Sequence, residues 1–190
     1  MKRLLLILIL TLSFQSWTKA DDINDFEIEG MSIGDSLLDY FNKEEIKKNK
    51  KDYYKNKKNF QFFAIDIENH NSFKKYEGMQ FHLKKNDNDY TIYSISGYNY
   101  CSKDIRNCKN QIEIIKKEFL KTFKDLITDK RTYEHSGDKS KKSIVTDTTF
   151  YFKNNDIIRL NIYDWSEEMP YADNYDVTLS LNEFRLAFIK

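Results

Sequence analysis

Residues 144–164 leave little choice of local structure. Ile144, Thr146, Thr148, Phe150 and Phe152 alternate with Val145, Asp147, Thr149 and Tyr151; Asn154-Asn155-Asp156 then turns the chain, and 157–164 runs back. Alternation with period two, rich in β-branched and aromatic residues and broken by turn formers, specifies antiparallel strands. The pattern occurs earlier as well. Met79, Phe81 and Leu83 alternate with Gln80, His82 and Lys84, Asn86 to Asp89 supply a turn, and 90–98 returns. His82 is thereby expected on a wet face. Phe60 to Ile67 is apolar on both faces, as in an interior strand, and Tyr175, Val177, Leu179 and Leu181 alternate as a last strand.

Between these groups of strands lies 103–125. Ile105, Cys108, Ile112, Ile115, Phe119 and Leu126 recur at three- and four-residue steps, with the lysines mostly off that stripe, which specifies an amphipathic helix. Short capped helices are expected within 26–46, where Asn42 precedes Glu45 by three residues, and at the C-terminus, where Ser180 precedes Glu183. Segments 47–58 and 129–143 read as solvated loops, the second with a short strand around Arg131 to Glu134. Runs of strands separated by helices, without β-α-β alternation, point to the α+β class. The expectation is an antiparallel sheet of about six strands with helix 103–125 on one face, or two helix-plus-meander repeats, 26–100 and 103–190.

The first twenty residues carry Lys2 and Arg3, an apolar run from Leu4 to Leu12, and Thr18-Lys19-Ala20 before two acids. This is the pattern of a secretory signal peptide cleaved near Ala20, with an apolar run too short to span a bilayer. The mature chain, 21–190, is then expected to be a single domain in the periplasm or outside the cell, without a transmembrane segment. The leader holds three of the 31 basic residues and none of the 30 acidic ones, so the mature chain is near charge neutrality on the acidic side. That balance, with export, argues against nucleic acid as a partner. In an oxidising compartment Cys101 and Cys108 read as a disulfide that staples the start of the helix to the preceding strand.

No coherent catalytic set emerges. Ser136-Gly137-Asp138-Lys139 matches S-x-x-K but lacks its S-D-N and K-T-G companions and lies in a polar loop. His70, His82 and His135 are widely spaced and read as isolated surface residues, so no metal site or cofactor is assigned. The best candidate surface is the acidic loop with the single proline, where Asp164, Glu167, Glu168, Asp173 and Asp176 surround Trp165, Pro170 and Tyr171. Rings beside carboxylates suit a sugar, by stacking on its faces and exchanging protons with it; the plainer alternative is a solvated loop with Trp165 folded inward.

The stretches IEGMSIGDSLLDYF (28–41), YDWSEEMPYADN (163–174) and DKSKKSIVT (138–146) resemble segments of a family of uncharacterised exported proteins of AT-rich marine alphaproteobacteria. More distantly, the Gly30-Met31-Ser32 turn before a short helix is similar to the start of outer-membrane assembly modules of the BamE type. The resemblance implies a compartment and transfers no catalytic residue. Two functions follow as expectations. One is a non-enzymatic periplasmic module that binds an envelope protein or a glycan. The other is a small glycan or cell-wall hydrolase using acids of loop 164–176.

Overall fold

The computed structural model describes residues 23–102, 104–123 and 126–188; the expected leader, 1–20, lies outside them. The strands are β1 (Lys50–Lys51), β2 (Phe62–Glu68), β3 (Gly78–Lys84), β4 (Ile92–Tyr100), β5 (Ile127–Glu134), β6 (Ile144–Tyr151), β7 (Ile157–Asp164) and β8 (Asn174–Ser180). The helices are α1 (Lys43–Lys48), α2 (Ile105–Thr122) and α3 (Asn182–Leu186). All eight strands form one sheet in the order β1-β2-β3-β4-β8-β7-β6-β5, every neighbouring pair antiparallel.

The expected α+β arrangement of about six strands with repeats is therefore corrected. The protein is mostly a single eight-stranded antiparallel sheet with one long helix. β1 is unexpected, and β5 begins at Ile127 where only a short strand around Arg131 to Glu134 is expected; both are edges. In β5 nearly every residue is exposed, and β1 is two exposed lysines, so neither had a buried face to impose alternation on its sequence. The halves are not separate units either. They share one sheet, joined along β4 and β8 from Ser94↔Ser180 to Tyr100↔Asn174, and only the second half is preceded by a long helix.

The two sequence-evident hairpins form as their turns dictate. Asp87 accepts from the backbone N–H groups of Asp89 and Thr91, and Asn86 takes a left-handed conformation (φ 65°) that Asn tolerates well. Asn155 does the same between β6 and β7 (φ 66°). Asn42 caps α1 through the N–H of Glu45, as expected. The expected Ser180 cap does not form: Ser180 ends β8, and Asp156 from the neighbouring turn accepts from the Asn182 N–H at 2.6 Å instead.

One face of the sheet carries the main core. Phe81, Leu83, Ile95, Ile158, Leu160, Val177 and Leu179 point into it. Helix α2 packs on β7 and β8 from this side, with Cys108 and Ile112 buried. The N-terminal segment adds Ile28, Ile33, Leu37 and Phe41 to the same core, with Phe41 set edge-on against Phe81. Cys101 and Cys108 are bonded and buried, with Cα atoms 5.1 Å apart. Closing so short a loop restricts the unfolded chain by about 2–3 kcal/mol. The Cys101→Ala/Cys108→Ala pair should therefore lower the thermal midpoint by several degrees, measured by calorimetry against the oxidised protein.

Candidate functional site: a polar band across the open face

Every second side chain of each strand points away from that core. Read across the pairing, these positions form rows. One runs Asp66, Gln80, Ser96, Thr178, Arg159, Thr149, Asp129; the next runs Glu68, Gly78, Tyr98, Asp176, Asn161, Asp147, Arg131. Neither row holds an aliphatic side chain. A third row, Tyr100, Asn174, Tyr163, Val145, Tyr133, flanks the band with aromatic rings. Among the described residues no helix packs over these rows. Helix α2 lies on the opposite face, and α3 with Tyr54, Phe60 and Phe188 covers only the far flank, where Phe184 packs at a tilt on His82 (4.4 Å between ring centres) and edge-on against Phe62 (5.2 Å).

The polar groups of the band satisfy one another. Asn161 Nδ2 and Thr178 Oγ1 donate to Asp176 Oδ1 at 2.6 and 3.0 Å. Arg131 Nη2 donates to Asp147 Oδ2 at 2.9 Å, and Arg159 Nε to Thr149 Oγ1 at 3.2 Å. Tyr98 and Tyr53 hydroxyls donate to the two oxygens of Asp66, at 2.9 and 2.7 Å. Asp176 is buried with neutral donors as its closest partners, so desolvation pushes its carboxyl up to about 6 despite those bonds and the charge of Arg159. Tyr53, Tyr100, Tyr133 and Tyr171 remain exposed around the band.

Gly78 sets the position of Tyr98. The Tyr98 ring lies across the glycine, so that a Cβ there would meet Tyr98 Cζ at 2.1 Å. Gly78→Ala should push the ring off the sheet and break its bond to Asp66, at a cost of about 1–3 kcal/mol. In a Tyr98→Ala background the same change should cost little, a coupling that a double-mutant cycle of denaturation midpoints measures.

The expected loop site lies at the end of this face, and the structure assembles only part of it. The indole of Trp165 stacks on Tyr163 (5.5 Å, 9° between planes) and packs against Tyr171 (4.8 Å) and His135 (4.6 Å). Its Nε1 donates to Asn174 Oδ1, and its backbone N–H donates to Asp173 Oδ1. Asp173 is thus engaged in shaping the loop. Glu168 is exposed and pairs with Lys142 at 2.7 Å, while Asp164 and Glu167 are exposed.

Beside this cluster Asp138 accepts from the hydroxyls of Ser140, Ser143 and Ser166 and from the N–H groups of Ser140 and Ser143. These bonds, Ser143's first, hold its carboxyl well below the usual range. They also bind segment 138–143 to the Trp165 loop. Ser136 and Lys139 are exposed on that turn, apart from any partner of an S-x-x-K enzyme.

The three histidines lie in three places. His70 pairs with Glu45, His135 packs on Trp165, and His82 meets Tyr54. His82 is on the expected strand face but is buried beneath Phe184, which corrects its placement as a wet residue. Among the described residues no group of three or more His, Cys, Asp or Glu is placed to hold a metal ion. Sequence reasoning missed Asp66, Tyr98, Asp147 and Asn161. The only signal they gave was to be the polar members of alternating strands. No family model, curated protein or solved structure matches this chain.

Proposed function

We propose that the chain is a non-enzymatic binding module of the cell envelope that holds a partner protein on the open face of its sheet. The observation that carries this reading is the polar band itself, built across seven strands, left free by the helices and edged by exposed tyrosines and Arg131. Tyr, Trp and Arg around desolvated polar groups is the composition of protein-binding hot spots. The expected leader, the resemblance to exported proteins and the Cys101–Cys108 bond support an oxidising compartment. No helix among the described residues is long and apolar enough to cross a membrane.

Site-specific photocrosslinking in native envelopes tests the reading. A benzophenone side chain at Tyr100 or Tyr133 should yield a discrete protein adduct, whereas one at Ile114 or Leu120, exposed on α2, should not. Adducts from the helix positions alone would overturn it. The hydrolase alternative makes a different demand: cell-wall glycan fragments should raise the melting temperature, and Asp164→Asn should abolish that response.

A further inference from the structure

We propose that the β2–β4 end of the open face is a receptor for a basic side chain, so that the bound partner protein presents a Lys or Arg there. The inference rests on the open face being the binding surface. Asp66 and Glu68 project from β2 on this face, and Glu77 precedes β3 with its Oε2 accepting from the Tyr100 N–H at 2.6 Å. The two oxygens of Asp66 are met by tyrosine hydroxyls, and among the described residues no Lys or Arg forms an ion pair with Asp66, Glu68 or Glu77.

The pairing sets Asp66 and Glu68 beside Tyr98 on this face, and Glu77 is held at the Tyr100 backbone. Behind burial, the charges of Glu68, Asp66 and Glu77 all make the Tyr100 phenol harder to ionise. Tyr98 and Tyr100 meet edge to face at 6.0 Å, and Tyr53 and Tyr100 are exposed. Toward β5–β8 the rows carry both signs, with Arg131 paired to Asp147 and Asp129 and Arg159 acting on Asp176. In the same rows β2–β4 carry carboxylates and no Lys or Arg. Carboxylates framed by exposed ring faces complement an ammonium or guanidinium, which gains from the charges and from the π-faces together. A neutral glycan would use the rings and leave the charge unmet.

The test is a titration of the mature, oxidised protein carrying 13C-labelled tyrosine rings, read by NMR. N-acetyl-arginine amide and N-acetyl-lysine amide should shift the Tyr53, Tyr98 and Tyr100 signals, while N-acetyl-norleucine amide and an N-acetylglucosamine trisaccharide should not. Asp66→Asn and the exposed Glu68→Gln should each weaken the response roughly fivefold, as should salt raised from about 0.01 M to about 0.1 M, which shortens the screening length from roughly 30 Å to 10 Å. Glu113→Gln on α2 should leave it unchanged. No response to the basic probes, or an equal response to norleucine amide or the trisaccharide, would overturn the inference. Adducts from Tyr100 and Tyr133 with silent basic probes would sink the basic receptor and leave the binding face standing. Adducts from α2 alone would remove the face itself.

Discussion

Replacing Asp176 with Asn should stabilise the protein at pH 7 by about 2–3 kcal/mol, an inversion of the usual effect of changing a buried, hydrogen-bonded residue. Asp176 is buried and its carboxyl is raised to about 6, desolvation outweighing the bonds from Asn161 and Thr178. Its unfolded value is near ~3.9. Between these values the folded chain holds the proton more tightly than the unfolded chain, so acid favours folding in that window. Above pH 6 the ionised carboxylate costs stability. Asn keeps an Oδ1 to accept from Asn161 and Thr178, and it removes the charge. The gain should shrink by about half at pH 5, where much of the wild-type carboxyl has regained its proton. Urea titrations at the two pH values measure both quantities. No gain at pH 7, or a gain independent of pH, would show that Asp176 is solvated well enough to ionise freely. On the proposed function, a residue that costs this much in the middle of the polar band is kept for binding, since stability and binding make opposite demands on it.

The sequence displayed those parts of the fold that bury one side of a strand. β3, β6 and β8 each have a core face, and alternation marked them, while the turns after β3 and β6 marked β4 and β7 as their returning partners. Helix α2 buries Cys108 and Ile112, and its three- and four-residue spacing marked it too. β5 buries almost nothing, so ITDKRTYE carries no period, and only a short strand around Arg131 to Glu134 is legible in it. The candidate site was harder for a related reason. Asp66, Asp147 and Asn161 are spread along the sequence and each occupies an unremarkable polar slot of an amphipathic strand. Only the order β2-β3-β4-β8-β7-β6 lays them across one surface. The acidic loop attracted notice because its residues are contiguous. Yet Trp165 and Tyr171 meet there while Asp173 and Glu168 are taken up by the loop's own structure.

In the Asp176→Asn background, lowering the pH from 7 to 5 should cost about 2 kcal/mol, and His82 is the residue responsible. Its ring is buried, with Nε2 on the Tyr54 hydroxyl at 2.7 Å and Nδ1 without a hydrogen-bond partner among the described residues. Burial pushes its pKa down to about 3. The unfolded histidine titrates near ~6.5, so between that value and 3 the unfolded chain takes up a proton that the folded chain refuses. Stability is therefore complete above pH 6.5 and falls as the pH drops through this window. The range from pH 7 to 5 lies above most carboxylate titrations. His135, also shifted down by burial but with Asp138 opposing, adds a smaller loss of the same sign. In the wild type the Asp176 proton offsets most of the His82 loss, so its stability should change little over the same range. Replacing the whole polar pair, His82→Leu with Tyr54→Phe, should flatten the pH response in the Asp176→Asn background. At pH 7 it should cost little, because no buried partner is left unsatisfied. A response that persists without His82 would place the proton elsewhere, and no response in the Asp176→Asn background would show that Phe184 and Tyr54 do not keep the His82 ring from water.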